Sequence, residues 1–275
     1  MDIKHFYRFS KTQIVDQFRD FVENDMFSRY PMLRGKISLI ITGSVPSSHY
    51  DEYSDIDTEF FYTNEKVRQK MNAVVKEYKV SLRERKIPVQ FHPAKTFTEL
   101  KKEHLEGWEH DDALREFSMA LVVLDAGNRY EKIRSAIKWY PKDVLQEKLQ
   151  WLFAEAVFNF EDRFVIAVKR HSNLYAQSVS SHIIKLLGNA LLMIEDHYPV
   201  FEKHLYAELT AFGEKDFCKM IDTLLLITDL NEMQRQLGTL ISTVEERLIK
   251  DGWIKKETKE HWILLRPKYQ VEHCS

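Results

Sequence analysis

Two hydrophobic rhythms divide this chain. Up to about residue 140, apolar residues come in short runs set between glycines and prolines; beyond it they return every three or four residues with few breakers. In the first part, "KISLIITGS" is an apolar run ending on Gly-Ser, which predicts a buried strand closing in a turn. "DIDTEFFY" alternates and predicts a second strand, and "IPVQFHP", bounded by Pro88 and Pro93, a third. Between these two, Val67, Met71, Val74, Val75 and Tyr78 recur at helical spacing. "ALVVLD" predicts another short strand leading into a helix over "AGNRYEKIRSAIKWY".

After Pro141, "KDVLQEKLQWLFAEAVFNFEDRFVIAVKRH" predicts one helix of about 28 residues, or two shorter ones. "SVSSHIIKLLGNALLMIEDHY" predicts another, stopped near Pro199, and further helices fit 202–211, 214–226 and 230–250. The stretch "DGWIKKETKEHWILLRP" carries no clear period, and no internal repeat or low-complexity tract is visible. The boundary therefore falls at Pro141, with an α/β-like domain over 1–140 and a helical domain over 141–275.

Composition narrows the class. A chain of 275 residues is long enough for two cores, and 44% hydrophobic with 30% charged residues is the balance of an ordered globular protein. A formal charge of −2 speaks against stable nucleic-acid binding, which calls for a basic excess or stripe. No apolar stretch approaches the roughly 20 residues of a membrane span, and "MDIKHFYRFSKTQIVDQF" is too polar for a secretory signal. Cys218 and Cys274 stand apart without companion ligands, so neither a disulfide framework nor a zinc site is expected, and a reducing cytoplasm fits.

The densest chemistry lies in "ITGSVPSSHYDEYSDIDTEFFY". Residues two apart on a strand share a face, so Asp55 and Asp57 present both carboxylates on one side, with Glu59 one step deeper. Paired acids repel unless a cation lies between them, and Mg²⁺ suits such a pair, because it is commonly held by one or two carboxylates plus substrate phosphates. Gly43 lets backbone pass close to a ligand, and Ser44 adds a hydroxyl and an N–H for phosphate oxygens. The loop Val45–Tyr53 returns the chain so that Ser54, Asp55 and Asp57 lie beside the first strand, with space for a triphosphate between turn and acids.

"GSVPSSHYDEYSDID" resembles the signature of the nucleotidyltransferase superfamily related to DNA polymerase beta, with spacing similar to bacterial antibiotic nucleotidyltransferases of the kanamycin nucleotidyltransferase type. The later text through "IRSAIKWY" is similar in order to the same part of that type, so the resemblance spans roughly residues 35–200. It implies an α+β fold: a small mixed-sheet nucleotidyltransferase domain followed by an all-helical domain. It also implies that Gly43, Ser44 and Ser54 contact the nucleotide and that Asp55 and Asp57 ligate Mg²⁺ and serve catalysis. The implied reaction is in-line attack of a hydroxyl on the α-phosphorus of a nucleoside triphosphate, ATP being expected, with pyrophosphate leaving. A homodimer is implied by the same resemblance.

Three positions depart from that pattern. A third carboxylate is expected on "PVQFHP", where Gln90 stands; an amide carries no charge and is no base at neutral pH. His92, two residues on, shares its face and is able to take a proton. In "AEAVFNFEDR", Glu155, Asn159 and Arg163 fall at i, i+4 and i+8. Asn159 stands where the resemblance expects a general base, which passes acid-base work to Glu155, while Arg163 keeps a basic residue for the nucleotide. The Gly-Arg that often follows Gly-Ser is here Pro46-Ser47, so a phosphate contact would have to come from Arg163, Lys169 or Lys203.

Three functions are open on these residues. The first is a cytoplasmic enzyme that transfers a nucleoside monophosphate to a hydroxyl of a small molecule of aminoglycoside or lincosamide type, as in antibiotic resistance. The second directs the same chemistry to a protein hydroxyl. The third is a catalytically weakened nucleotide-binding or partner-binding module, motivated by Gln90 and Asn159. Acidic "EGWEHDD" at 106–112 would attract a cationic acceptor, or be a solvated loop.

Overall fold

A computed structural model describes residues 5–84, 87–92, 95–105, 111–137 and 139–255. The chain is an α+β protein that divides into two compact units, Met1–Lys138 and Trp139–Ser275. The first unit opens with α1 (Lys11–Phe21), whose Ser10 forms a reciprocal capping box with Gln13. A π-helical turn, Val22–Met26, and the short α2 (Phe27–Arg29) follow.

The sheet begins with β1 (Ile37–Thr42), buried along its whole length. The chain continues through α3 (Ser44–Ser47), β2 (Ile56–Tyr62), α4 (Glu65–Glu84), β3 (Val89–Phe91), β4 (Lys95–Thr96), α5 (Phe97–Leu105), α6 (Asp111–Met119), β5 (Leu121–Leu124) and α7 (Arg129–Arg134). Strand order is β3-β2-β1-β5, with β4 also on β2. β1 is antiparallel to β2 and β5, whereas β3 and β4 run parallel to β2, so the sheet is mixed.

Alternation along the strands sorts two cores. Ile37, Leu39, Ile41, Ile56, Phe60 and Tyr62 join the larger cluster, with Ile14 and Phe18 of α1 and Met71, Val74 and Tyr78 of α4. Ile40 and Phe61 turn the other way, onto Leu100, Phe117, Tyr130 and Ile133. Both faces are therefore covered, which is why β1 reads as an unbroken apolar run. Ser38 is a polar residue within it, satisfied locally: its hydroxyl donates to Asp125 Oδ1 at 2.9 Å and accepts from the Ala126 N–H at 2.8 Å. Asp125 in turn accepts the Tyr130 and Glu131 N–H groups at 2.9 and 3.1 Å, fixing the start of α7.

The second unit is built from α8 (Lys142–Phe158), a π-helical segment (Asn159–Phe164), α9 (Val165–Lys169), α10 (Asn173–Ile194), α11 (Glu202–Ala211), α12 (Lys215–Leu226) and α13 (Leu230–Lys250). α10 is the centre, packing against α8, α11 and α13. At Gly188 it approaches α11 so closely that a Cβ would meet both Leu205 methyls at 3.1 Å. Buried Asn189 clips the chain before α11 to this helix, donating to Val200 O at 3.2 Å and accepting the Val200 N–H at 2.9 Å.

Two expectations need correction. The helix expected over 126–140 is confined to Arg129–Arg134, because Gly127 and Asn128 hold left-handed backbone before it. The helix expected to run towards Pro199 ends at Ile194, where Asp196 adopts φ +56° and the chain turns away earlier. Trp108 and most of "EGWEHDD" lie outside the described residues, as does the stretch after Lys255.

Candidate functional site

β1 ends at Thr42, which is paired with Asp57 of β2, so the turn after β1 meets the acidic pair. Gly43 has φ +71° and ψ −136°, a conformation open essentially to glycine alone. A Cβ built there would sit 2.3 Å from Asp57 Oδ2. The bare backbone of the turn and the Asp57 carboxylate thus share one cradle that no other residue type fits. Ser44 is buried at the start of α3, and its hydroxyl makes no hydrogen bond among the described residues.

The loop beyond is tied down. Lys11 Nζ donates to Pro46 O, and Tyr50 Oη donates to Phe9 O at 2.9 Å. Ser54 serves the loop itself: its hydroxyl donates to Asp51 Oδ1 at 2.9 Å and accepts the Asp51 N–H at 3.0 Å. The Tyr53 N–H adds a third bond to Asp51, and the Ser54 contact leads in holding the Asp51 carboxyl below its ordinary range. The nucleotide contact expected of Ser54 would have to compete with this turn.

Alternation places Asp55, Asp57 and Glu59 on one face of β2, the face of Ile40 and Phe61. Parallel β3 sets Gln90 beside Asp57, with His92 next on that face. The side chains reach back one step: the Gln90 amide donates to Asp55 Oδ2, and His92 Nε2 lies 2.8 Å from Asp57 Oδ1. That contact raises the imidazole pKa above its ordinary value, partial burial opposes the shift, and Glu59 and Glu116 add to it. An Asp-x-Asp on one strand therefore meets a Gln-x-His on its parallel neighbour. The period-two spacing of Gln90 and His92 was visible in the sequence; the parallel register that pairs them with the acids was not.

In the second unit, Asn159 is buried where α8 passes into its π segment. Its amide donates to Glu155 O at 2.7 Å and Glu155 Oε1 at 3.0 Å, and its carbonyl accepts from Arg163 Nη1 at 3.1 Å. The Arg163 guanidinium also lies 5.3 Å from the Phe158 ring centroid. Glu155, Asn159 and Arg163 thus form one chain of hydrogen bonds with neutral Asn159 as the link. A π turn in such a place often accompanies a functional site.

Comparison with known proteins adds an outline. The family model described as "Domain of unknown function (DUF4037)" matches residues 109–205. No curated protein matches the chain. Among solved structures, a nucleotidyltransferase-like protein from Exiguobacterium sibiricum 255-15 is similar over 90% of this chain and 78% of its own, with a TM-score of 0.47 and 10% identity. No residue role passes from it to this chain.

The donor set can be weighed for a divalent ion directly. Among the described residues, no group of three or more His, Cys, Asp or Glu side chains could hold a metal ion. Asp55 and Asp57 alone suit Mg²⁺ if the remaining oxygens come from phosphate and water, the usual arrangement for that ion. At Gly43 the space a Cβ would fill is taken by the Asp57 carboxylate itself, which packs against the bare backbone of the turn. No helix among the described residues is long and apolar enough to cross a membrane.

Proposed function

We propose that this chain is a nucleotidyltransferase that moves a nucleoside monophosphate from a Mg²⁺-bound nucleoside triphosphate, ATP in the first instance, to a hydroxyl of a small molecule. The observation that carries the proposal is the Gly43–Asp57 cradle, with Asp55 on the same face. A glycine-only turn pressed against one of two co-facial carboxylates has little value for a solvated strand end. It has clear value where a triphosphate and its cation must approach backbone closely.

Gly43 and Ser44 would bind the triphosphate, and Asp55 and Asp57 would hold the ion. The bound ion would supply charge stabilisation at the phosphoryl oxygens. The acceptor oxygen forms a bond to the α-phosphorus as the bond to the β-phosphate oxygen breaks, and pyrophosphate departs with that electron pair. Glu155 is proposed to take the acceptor proton and Arg163 to contact phosphate, both by the resemblance. An aminoglycoside-like acceptor, a cytoplasmic setting and a homodimer belong to the same proposal.

Asp57→Asn is expected to abolish both pyrophosphate release and Mg²⁺-dependent binding of a non-hydrolysable ATP analogue, while circular dichroism stays unchanged. Calorimetry and a pyrophosphate assay check this, and full activity in the variant ends the proposal. A second function has one observation in its favour, the commitment of neutral Asn159 to Glu155 and Arg163 where a base is expected. Tight nucleotide binding without pyrophosphate release across a panel of hydroxyl acceptors would make the chain a binding module instead.

A further inference from the structure

The turn that carries Gly43 and Ser44 is held from outside its own stretch of chain. α3 is a single turn, far shorter than a helix stable by itself, and it lies between two positive-φ positions, Gly43 at +71° and Ser48 at +64°. Ser48 carries a Cβ, so that backbone is unfavourable unless something holds it. Among the described residues, Pro46 O accepts no backbone N–H: the Ser48 N–H goes to Val45 O at 3.2 Å and the His49 N–H to Ser44 O at 3.1 Å. Its donor is the ammonium of Lys11, the first residue of α1, 35 positions earlier. Phe9 O, from the same opening segment, accepts from Tyr50 Oη at 2.9 Å, and Phe6 stacks on the Tyr50 ring with centroids 5.9 Å apart. Val45 joins Phe6, Ile14 and Phe18 in the larger core.

We propose that segment 6–11 is part of the nucleotide site, with Lys11 and Tyr50 as positioning residues that hold the turn at Gly43 and Ser44 ready for the triphosphate. The proposal rests on the nucleotidyltransferase function above. Neither side chain needs to touch the nucleotide. Lys11 closes the turn by donating to a carbonyl that its own backbone leaves without a donor, as cationic side chains do at helix C-termini. Tyr50 fixes the chain as it leaves the turn. Without these contacts the turn keeps its core anchor at Val45 but is free to relax at Ser48, and nucleotide binding then carries the cost of ordering it. Preorganisation of this kind sets affinity and leaves the number of sites unchanged.

Calorimetry on the full chain with Mg²⁺ and a non-hydrolysable ATP analogue gives both a dissociation constant and the number of sites. Lys11→Met and Tyr50→Phe are each expected to raise the dissociation constant, about tenfold for Lys11→Met because the donor it removes is charged. Site number and circular dichroism stay as in wild type. Lys11→Arg keeps a charged donor of similar reach and is expected to restore most of the affinity. A merely structural role would instead lower the number of competent sites and leave the dissociation constant of the remainder unchanged, which overturns the proposal. So does a Lys11→Met deficit that disappears at raised salt, since Lys11 would then act only as a distant charge. Should Lys11→Met fail to fold, Tyr50→Phe decides alone, and wild-type affinity in that variant overturns the proposal. Failure of the underlying function is distinct: wild type itself would not bind the analogue, which removes both, whereas wild-type binding matched by all variants removes the positioning role alone.

Discussion

The single carbon missing from Gly43 is what lets the Asp57 carboxylate pack against the turn. Its positive φ and the 2.3 Å approach to Asp57 Oδ2 act together, so a methyl group there strains the backbone and pushes the carboxylate away. Gly43→Ala is expected to lower stability by about 1–3 kcal/mol from the backbone alone. It should also abolish Mg²⁺-dependent nucleotide binding; urea unfolding and calorimetry measure the two effects. The turn at Gly43 and the shared face of Asp55 and Asp57 were legible in the sequence, because strand alternation and a Gly-Ser stop are local signals. What engages the two aspartates was not legible. Gln90 and His92 lie some 35 residues away, and only the parallel pairing of β3 with β2 decides that they face Asp55 and Asp57.

At the level of elements, four of the five strands and the long C-terminal helices followed from their patterns, the two-residue β4 being too short to show alternation, and the other misses have physical causes. α1, α3, α5 and α6 were not foreseen: α1 lies in a polar opening segment, α3 is a single turn within the stretch read as a loop, and the other two fall between glycine and proline signals that mark loops. The π turns at Val22–Met26 and Asn159–Phe164 were not foreseen either, because each is a single turn, too short to set a period of its own. Between α10 and α11 the decisive contact is polar. Asn189 satisfies both backbone groups of Val200 in a buried place, so Asn189→Ala is expected to cost about 1–3 kcal/mol, read as a lower urea midpoint. Wild-type stability in that variant would mean that the clip is dispensable.

For the molecule as a whole, stability should depend on pH through a group in the second unit. Burial raises the Glu214 pKa above its ordinary value, with Glu195 and Asp216 adding and Arg247 opposing. The folded state therefore holds that proton more tightly than the unfolded chain does. The associated stability is complete below the ordinary glutamate range and is lost as pH rises through the folded value. Glu214→Gln is expected to match wild type near pH 4 and to melt higher at pH 7; a difference of opposite sign, or one equal at both pH values, would refute the assignment. The order of strands also has a consequence in time. β1 is a central apolar strand, yet its second edge is closed by β5, which leaves the ribosome about 60 residues after β2, or roughly 3–12 s later at ordinary elongation rates. For that interval an isoleucine-rich edge stands open to any neighbouring chain. A truncated product stopping at Ala120 should therefore aggregate during synthesis more than one stopping at Lys138, and a demand for chaperone capture should be concentrated in those few seconds.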